Sequence, residues 1–305
     1  MNFLYLLAVA AFATSAVALS TAKPVTKVNV LVTGAAGRTG KLVFEFLQNS
    51  DVFSPIACVR TEKSKSAFMR KQPDADKAKV VVADVTTDVR ELTSSFAKEN
   101  ADALIICTSA VPKIMKRSIL KVILYKLLRK EGARPEFRFI PNGTPYVVDY
   151  LSAVRQIDAA KNAGIKHVIV VSSMGGTQPE NFLNTIGKKE SDEYSGNILL
   201  WKRKAEKHLI ESGLDYTIIH PGGLLDQPGG EREIVFGVND ALLQEKVRSI
   251  PRSDVARVCV QALSEPAARN RSFDIISKAP GAEGAQVTND WTHFFSKTGN
   301  CNYDE

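Results

Sequence analysis

Among 305 residues there are four cysteines, Cys58, Cys107, Cys259 and Cys301, and no two of them stand in a CxxC or CxxH spacing. That spacing excludes a zinc ribbon or a redox dithiol and leaves no disulfide framework, so no metal site is expected. Three of the thiols lie in apolar runs, where Cys behaves as a small hydrophobe. Cys58 and Cys107, in predicted core strands, point to a reducing destination over secretion. Long hydrophobic runs are also scarce. Outside residues 4–18 nothing approaches the length needed to cross a bilayer, so no stable membrane span is expected. Internal repeats and low-complexity tracts are absent. A composition of 44% hydrophobic and 24% charged residues excludes disordered and fibrous classes and allows a sizeable core.

Residues 4–18, LYLLAVAAFATSAVA, are uncharged, short, and end in the small-x-small triplet Ala16, Val17, Ala18. This is the pattern of a cleaved signal peptide at 1–18, with an N-terminal anchor helix as the alternative because a basic leading region is missing. Residues 19–26 are hydroxyl-rich and free of acid, and they resemble the transit portion of the two-part presequences used by algae with complex plastids. A plastid is the expected destination, ahead of secretion.

Acidic residues are outnumbered, 33 to 40, and the imbalance is local. Within 113–138 stand nine cations (Lys113, Lys116, Arg117, Lys121, Lys126, Arg129, Lys130, Arg134, Arg138) against Glu131 and Glu136. No aromatic stacking motif accompanies them, so nucleic acid is not an expected partner. A solvated lid, or an element touching a protein or an anionic surface, is the better reading. Residues 119–128 have a basic amphipathic helical pattern, while Pro135, Pro141 and Pro145 keep the remainder irregular.

Apolar runs of strand length occur at 28–33, 55–59, 79–83, 103–107, 167–171 and 216–219, mostly continuous, as suits strands buried on both faces of a parallel sheet. Helical patterns lie between them at 89–97, 147–163 and 199–211, the last two closed by Gly164 and Gly213. The alternation predicts an α/β, doubly wound parallel sheet over 27–278, interrupted by an insertion at 112–146 and followed by a tail at 279–305.

After the first strand, Gly34, Gly37 and Gly40 form G-x-x-G-x-x-G, ahead of Leu42, Val43, Phe46 and Leu47 at helical spacing. Strand, glycine loop and helix N-terminus together make a diphosphate site. The acid that selects NAD at the end of the second strand is missing; Arg60 stands there, with Arg38 in the loop. Two guanidinium groups favour a ribose 2′-phosphate, so NADP is the expected cofactor. Asp84, after the third strand, suits either the adenine amino group or a turn cap.

The segments TGAAGRTG, CVR, ADV, TSAVPK, RPEF, QIDAAKNAGIKHVIVVSSMGGT, NILLWKRKAE, YTIIHPGGLLD and IPRSDVARVCVQAL resemble, in one collinear frame, the atypical short-chain dehydrogenase/reductases. Within that family the likeness is to the plant and algal subgroup related to the Rossmann domain of a chloroplast import-associated protein. The resemblance implies a Rossmann domain with bound NADP and a small C-terminal substrate-covering portion. It assigns Thr33, Gly34, Gly37, Arg38, Thr39 and Gly40 to the diphosphate, Arg60 to the 2′-phosphate, and Asp84 and Val85 to the adenine pocket. Thr108, Ser109 and Ala110 fall beside the nicotinamide ribose, Pro221, Gly222 and Gly223 beside the nicotinamide, and Ser172 and Ser173 at the family's catalytic Ser. Lys202 matches the Lys of the YxxxK pair.

Four residues before Lys202, however, stands Ile198, which cannot transfer a proton. Shifting the register to Lys204 puts Leu200 in that place, and Tyr194 is reachable only from a loop. His220 is an alternative acid, whereas His167 reads as structural. Two functions follow: an NADPH-dependent reductase in which Lys202 positions the cofactor and Ser172, Ser173 or the substrate handles the proton, or a module that binds NADP(H) without turnover. The small-molecule substrate is not legible.

Overall fold

The computed structural model describes residues 27–72, 78–129, 132 and 135–304. The signal and transit segments therefore lie outside the described residues, as do Lys130, Glu131 and Arg134. The chain opens with β1 (Val28–Thr33), α1 (Arg38–Gln48), β2 (Phe53–Val59), α2 (Glu62–Met69), β3 (Lys79–Val82), α3 (Val89–Lys98) and β4 (Ala103–Ile106). An insertion follows, made of β5 (Lys113–Ile114), α4 (Lys116–Leu127) and β6 (Phe137–Arg138), with β5 antiparallel to β6. Alternation resumes with a π-helix (Tyr146–Leu151), α5 (Ser152–Asn162), β7 (His167–Val171), α6 (Phe182–Thr185), α7 (Ile198–Glu211) and β8 (Asp215–Pro221). The last third contains β9 (Gly223–Leu225), β10 (Ile234–Gly237), β11 (Ser249–Pro251), α8 (Arg252–Ser264), β12 (Arg271–Ser277) and α9 (Trp291–Lys297).

Eight strands form one sheet in the order β10-β12-β8-β7-β4-β1-β2-β3, parallel throughout except that β10 runs against β12. β9 and β11 pair separately. The side chains of β1 explain why its run is continuous. Val30 and Val32 face a core with Phe44 and Leu47 of α1, while Leu31 faces another with Leu92, Phe96 and Ile157, so neither face can be polar. Strand order reverses between β1 and β4, and in open α/β sheets that switch point is where ligands bind, outside the carboxyl ends of the strands.

Three differences from the sequence reading have physical causes. The single helix expected at 147–163 begins as a π-helix after Pro145, and only from Ser152 is it α. The insertion is a hairpin with a helix between its strands. Residues 279–305, set apart as a tail, carry α9 and a bridge from Asn300 to Ser272, with Phe294, Phe295 and Cys301 buried.

Candidate cofactor and active site

The glycine loop is tight for internal reasons. Gly34 has φ +69°, and a Cβ there would stand 2.8 Å from the Cys107 backbone. A Cβ on Gly40 would stand 2.3 Å from the Gly34 oxygen, so the first turn of α1 can lie against the loop only as glycine. Gly37 caps α1 through its backbone, with no side chain on the helix N-terminus. The N–H groups of the first turn are thus left facing the crevice, which suits a diphosphate. Thr33 ends β1 fully buried.

The two arginines are directed apart. Arg38 Nη1 bonds Asp226 at 3.1 Å, both groups exposed, whereas Arg60 gives its Nε to Asp84 at 2.8 Å and an Nη to Thr86 at 3.3 Å. The other oxygen of Asp84 accepts from the Thr86 N–H and hydroxyl. Burial would raise the Asp84 pKa, but those hydrogen bonds and Arg60 outweigh it and hold the carboxyl below its usual range. Asp84 therefore caps its turn, one of the two roles the spacing left open, and Val85 follows it, half-buried.

At the end that the resemblance assigns to the nicotinamide, the structure brings Lys202 to Asp149, Nζ to Oδ1 at 2.8 Å, with the side chains 11% and 0% exposed. Asp149 also accepts from the Ser109 hydroxyl at 2.9 Å and the Ala110 N–H at 3.3 Å, so it ties the loop after β4 to α7. Asp149 lies on the π-helix, where an added residue per turn re-aims side chains; such turns concentrate at functional sites. Tyr146, Tyr150 and Trp201 pack the π-helix on α7, with ring centroids 4.8 Å (Tyr146–Trp201) and 5.7 Å (Tyr150–Trp201) apart, and Tyr194 joins them at 4.4 Å from Tyr146. Asp149 escaped the sequence reading; it is one of two acids, with Asp158, in the helical pattern at 147–163, and spacing does not set it apart. Lys202, Asp149, Thr108, Ser172 and Glu206 line one cavity.

Ser172 follows directly on β7, and its hydroxyl donates to Glu206; Ser173 donates to the Met174 carbonyl at 3.1 Å. Both hydroxyl protons are committed to acceptors within the protein. Glu206 is buried, which alone would raise its pKa, yet the His220 charge and hydrogen bonds from His220, Ser172 and Tyr303 bring it down to about 2. His220 sits between Glu206 (Nε2, 3.2 Å) and Asp274 (Nδ1, 3.1 Å). Burial disfavours its charge, but the two carboxylates raise its pKa well above the ordinary value. Cys301 Sγ is 3.6 Å from Nδ1, and Tyr303 donates to Glu206 at 3.0 Å, so the C-terminal segment closes this network. The fold thus gathers His220, Asp274 and Cys301, a grouping invisible in chain spacing. Both imidazole nitrogens already face carboxylates, the arrangement of a paired imidazolium.

Two assignments acquire different reasons. Gly222 needs to be glycine because a Cβ would lie 2.4 Å from the Arg248 oxygen, and Gly223 donates to the same carbonyl; the demand comes from the protein's own backbone. Pro221 closes β8 and its carbonyl accepts from Met174 N–H. His167 is structural as read: its Nε2 is 3.0 Å from Thr217 Oγ1, and burial pushes its pKa down to about 4.

A family model described as NAD(P)H-binding matches residues 34–266. An uncharacterised chloroplastic protein of Arabidopsis thaliana is 42% identical over 266 residues, 87% of this chain and 73% of that one. Sanguinarine reductase of Eschscholzia californica is 39% identical over 280 residues, 89% and 96% of the two chains. Among solved structures, a Bacillus halodurans protein described as an NAD-dependent epimerase/dehydratase superposes with a TM-score of 0.60 at 23% identity, covering 83% of this chain and 95% of that one, a likeness of fold.

Proposed function

Because the chain belongs to the NAD(P)H-binding family, a reductase-like family with a nicotinamide cofactor, we propose that it is an NADP(H)-dependent oxidoreductase acting on an electron-poor small molecule. The observation that carries this reading is the buried Lys202–Asp149 pair, 2.8 Å apart in the cavity that Ser172 and Glu206 also line. The glycine cradle and open α1 N-terminus fit a diphosphate. Lys202, fixed by Asp149, fits the nicotinamide ribose. Arg60, with Arg38 free to leave an exposed ion pair of little worth, fits the 2′-phosphate. Two chloroplast-type features support a plastid address: the chloroplastic name of the Arabidopsis relative and the composition of residues 1–26.

When bound, NADPH supplies a hydride. The chain's own part is to hold and orient. Ile198 replaces the proton-transferring tyrosine, and Ser172 and Ser173 direct their protons to Glu206 and Met174. What faces the cavity is an ionised carboxylate and hydroxyl lone pairs, which stabilise an acceptor carrying positive charge or strong polarisation better than they protonate a ketone. The name of the Eschscholzia relative, a reductase, supports the same reaction type. NADPH oxidation followed at a single wavelength tests this: quinones and cationic aromatic imines should be reduced, simple ketones should not. Rapid reduction of simple ketones would refute it.

A second reading, NADP(H) binding without turnover, is favoured by Ile198 alone. Tight NADPH binding with no oxidation across that acceptor panel would establish it instead.

A further inference from the structure

None of the residues that the resemblance assigns to the cofactor lies in the insertion that carries β5, α4 and β6, and its surface differs from the rest of the molecule. α4 turns one side to the protein. Ser118 is its buried residue, and the hydroxyl donates to the Met115 carbonyl at 2.7 Å and accepts from the Glu136 N–H at 2.9 Å. On the opposite side Leu120, Ile123, Leu124 and Leu127 stand at i, i+3, i+4 and i+7, the spacing of one helix face. These four are 68%, 58%, 51% and 78% exposed. A helix of a globular protein normally turns such a stripe to the core. Here it faces water, and a contiguous outward patch of this kind marks a contact surface.

The charges identify the contact. At 100° per residue, Arg117 and Lys121 border the stripe on one side and Lys126 on the other, and the twelve residues of α4 include no acid. The 113–138 segment has nine cations and two anions, a surplus of seven that equals that of the whole chain. A groove on a protein partner would need only the apolar stripe. A stripe with cations along both borders suits the plane of a membrane interface, where alkyl side chains enter the acyl boundary and Lys and Arg reach the headgroups. Among the described residues no helix is long and apolar enough to cross a membrane, so the contact is peripheral.

We infer that α4 docks the protein on an anionic lipid surface, lying flat with Leu120, Ile123, Leu124 and Leu127 inserted. The insertion starts just after Ser109 and Ala110 and ends just before Asp149, so docking sets the candidate site beside the lipid phase. The inference is independent of turnover.

The test uses the full chain with an environment-sensitive fluorophore on Leu124→Cys, which reports on α4 whatever residues 1–26 do. Vesicles of equal parts phosphatidylcholine and phosphatidylglycerol should shift the emission to the blue, and pure phosphatidylcholine much less. Lys121→Glu with Lys126→Glu, or raised salt, should weaken the partition by about tenfold or more, since each cation near an anionic surface contributes about 1 kcal/mol. Leu120→Ser with Leu127→Ser should weaken it comparably. None of these side chains is among those assigned to NADPH, so unchanged NADPH affinity verifies the fold. The idea is overturned if the label does not respond to anionic vesicles, or if the apolar substitutions leave binding intact. Sedimentation showing that α4 instead pairs two copies of the chain, or a label response to duplex DNA alone, would overturn it too.

Discussion

Lys202 and Asp149 depend on one another more than the cofactor assignment alone suggests. An ammonium 11% exposed beside a carboxylate fully buried is stable only as a pair. Removing one partner of a buried ion pair typically costs about 3–5 kcal/mol because the other is left uncompensated. Asp149→Ala should therefore lower stability by that order, and the double variant Asp149→Ala/Lys202→Ala by clearly less than the two single losses added. Denaturant titration of the four proteins checks this. NADPH affinity should fall in both single variants, and an unaffected affinity in Lys202→Ala would remove Lys202 from the ribose. Calorimetry on Arg60→Asp tests the other end of the cofactor: the unmodified protein should favour NADPH over NADH by about tenfold or more, about 1.4 kcal/mol, and the variant should lose that preference. Lys202 could be assigned from sequence because a family motif fixes its register. Asp149 was not, since its position depends on a π-turn that periodicity cannot distinguish from α.

The elements that sequence reads best are those whose physics is local. β1, the glycine loop and α1 declare themselves through one apolar run, three glycines and a 3.6-residue pattern. Gly40 gives this a sharp test. Its Cβ would sit 2.3 Å from backbone, an atom that cannot swing aside, so Gly40→Ala must push α1 off the loop. Overpacking of this sort costs about 1–3 kcal/mol. The displacement should cost NADPH affinity more than stability, because the N–H groups of the first turn move with the helix. Equal affinities of variant and parent in calorimetry would show that the loop does not hold the diphosphate. β9 and β11 were not legible: three residues each, paired with one another outside the main sheet, they are made by tertiary context. The same holds for the ends of the insertion, where β5 and β6 are two residues each.

At the scale of the whole molecule, stability should depend on pH through groups that the fold has desolvated, and their windows are separable. Thr217 gives its hydroxyl proton to the Ala268 carbonyl, so its oxygen accepts from His167 Nε2–H and the buried imidazole is neutral. Burial holds its pKa near 4, against 6.5 for an ordinary imidazole. Between those values the unfolded chain binds a proton that the folded chain refuses. The contribution of His167 is therefore complete above pH 6.5 and is lost as pH falls toward 4, about 3 kcal/mol in all at 1.36 kcal/mol per unit. Glu206 has the same sign in a lower window, because its pKa falls from 4.5 to about 2 and its contribution persists until the medium is more acid than 4.5. His220, raised by its carboxylates, has the opposite sign: its contribution is full below 6.5 and is lost as pH rises through its folded value. Chemical denaturation at a series of pH values should thus show a decline from pH 6.5 toward 4 in the parent protein. His167→Gln, which keeps an N–H donor for Thr217 and cannot take up a proton, should flatten that decline, while leaving the loss below pH 4.5 to which Glu206 contributes. A variant that declines in parallel with the parent would mean that another group desolvated on folding controls the acid limb.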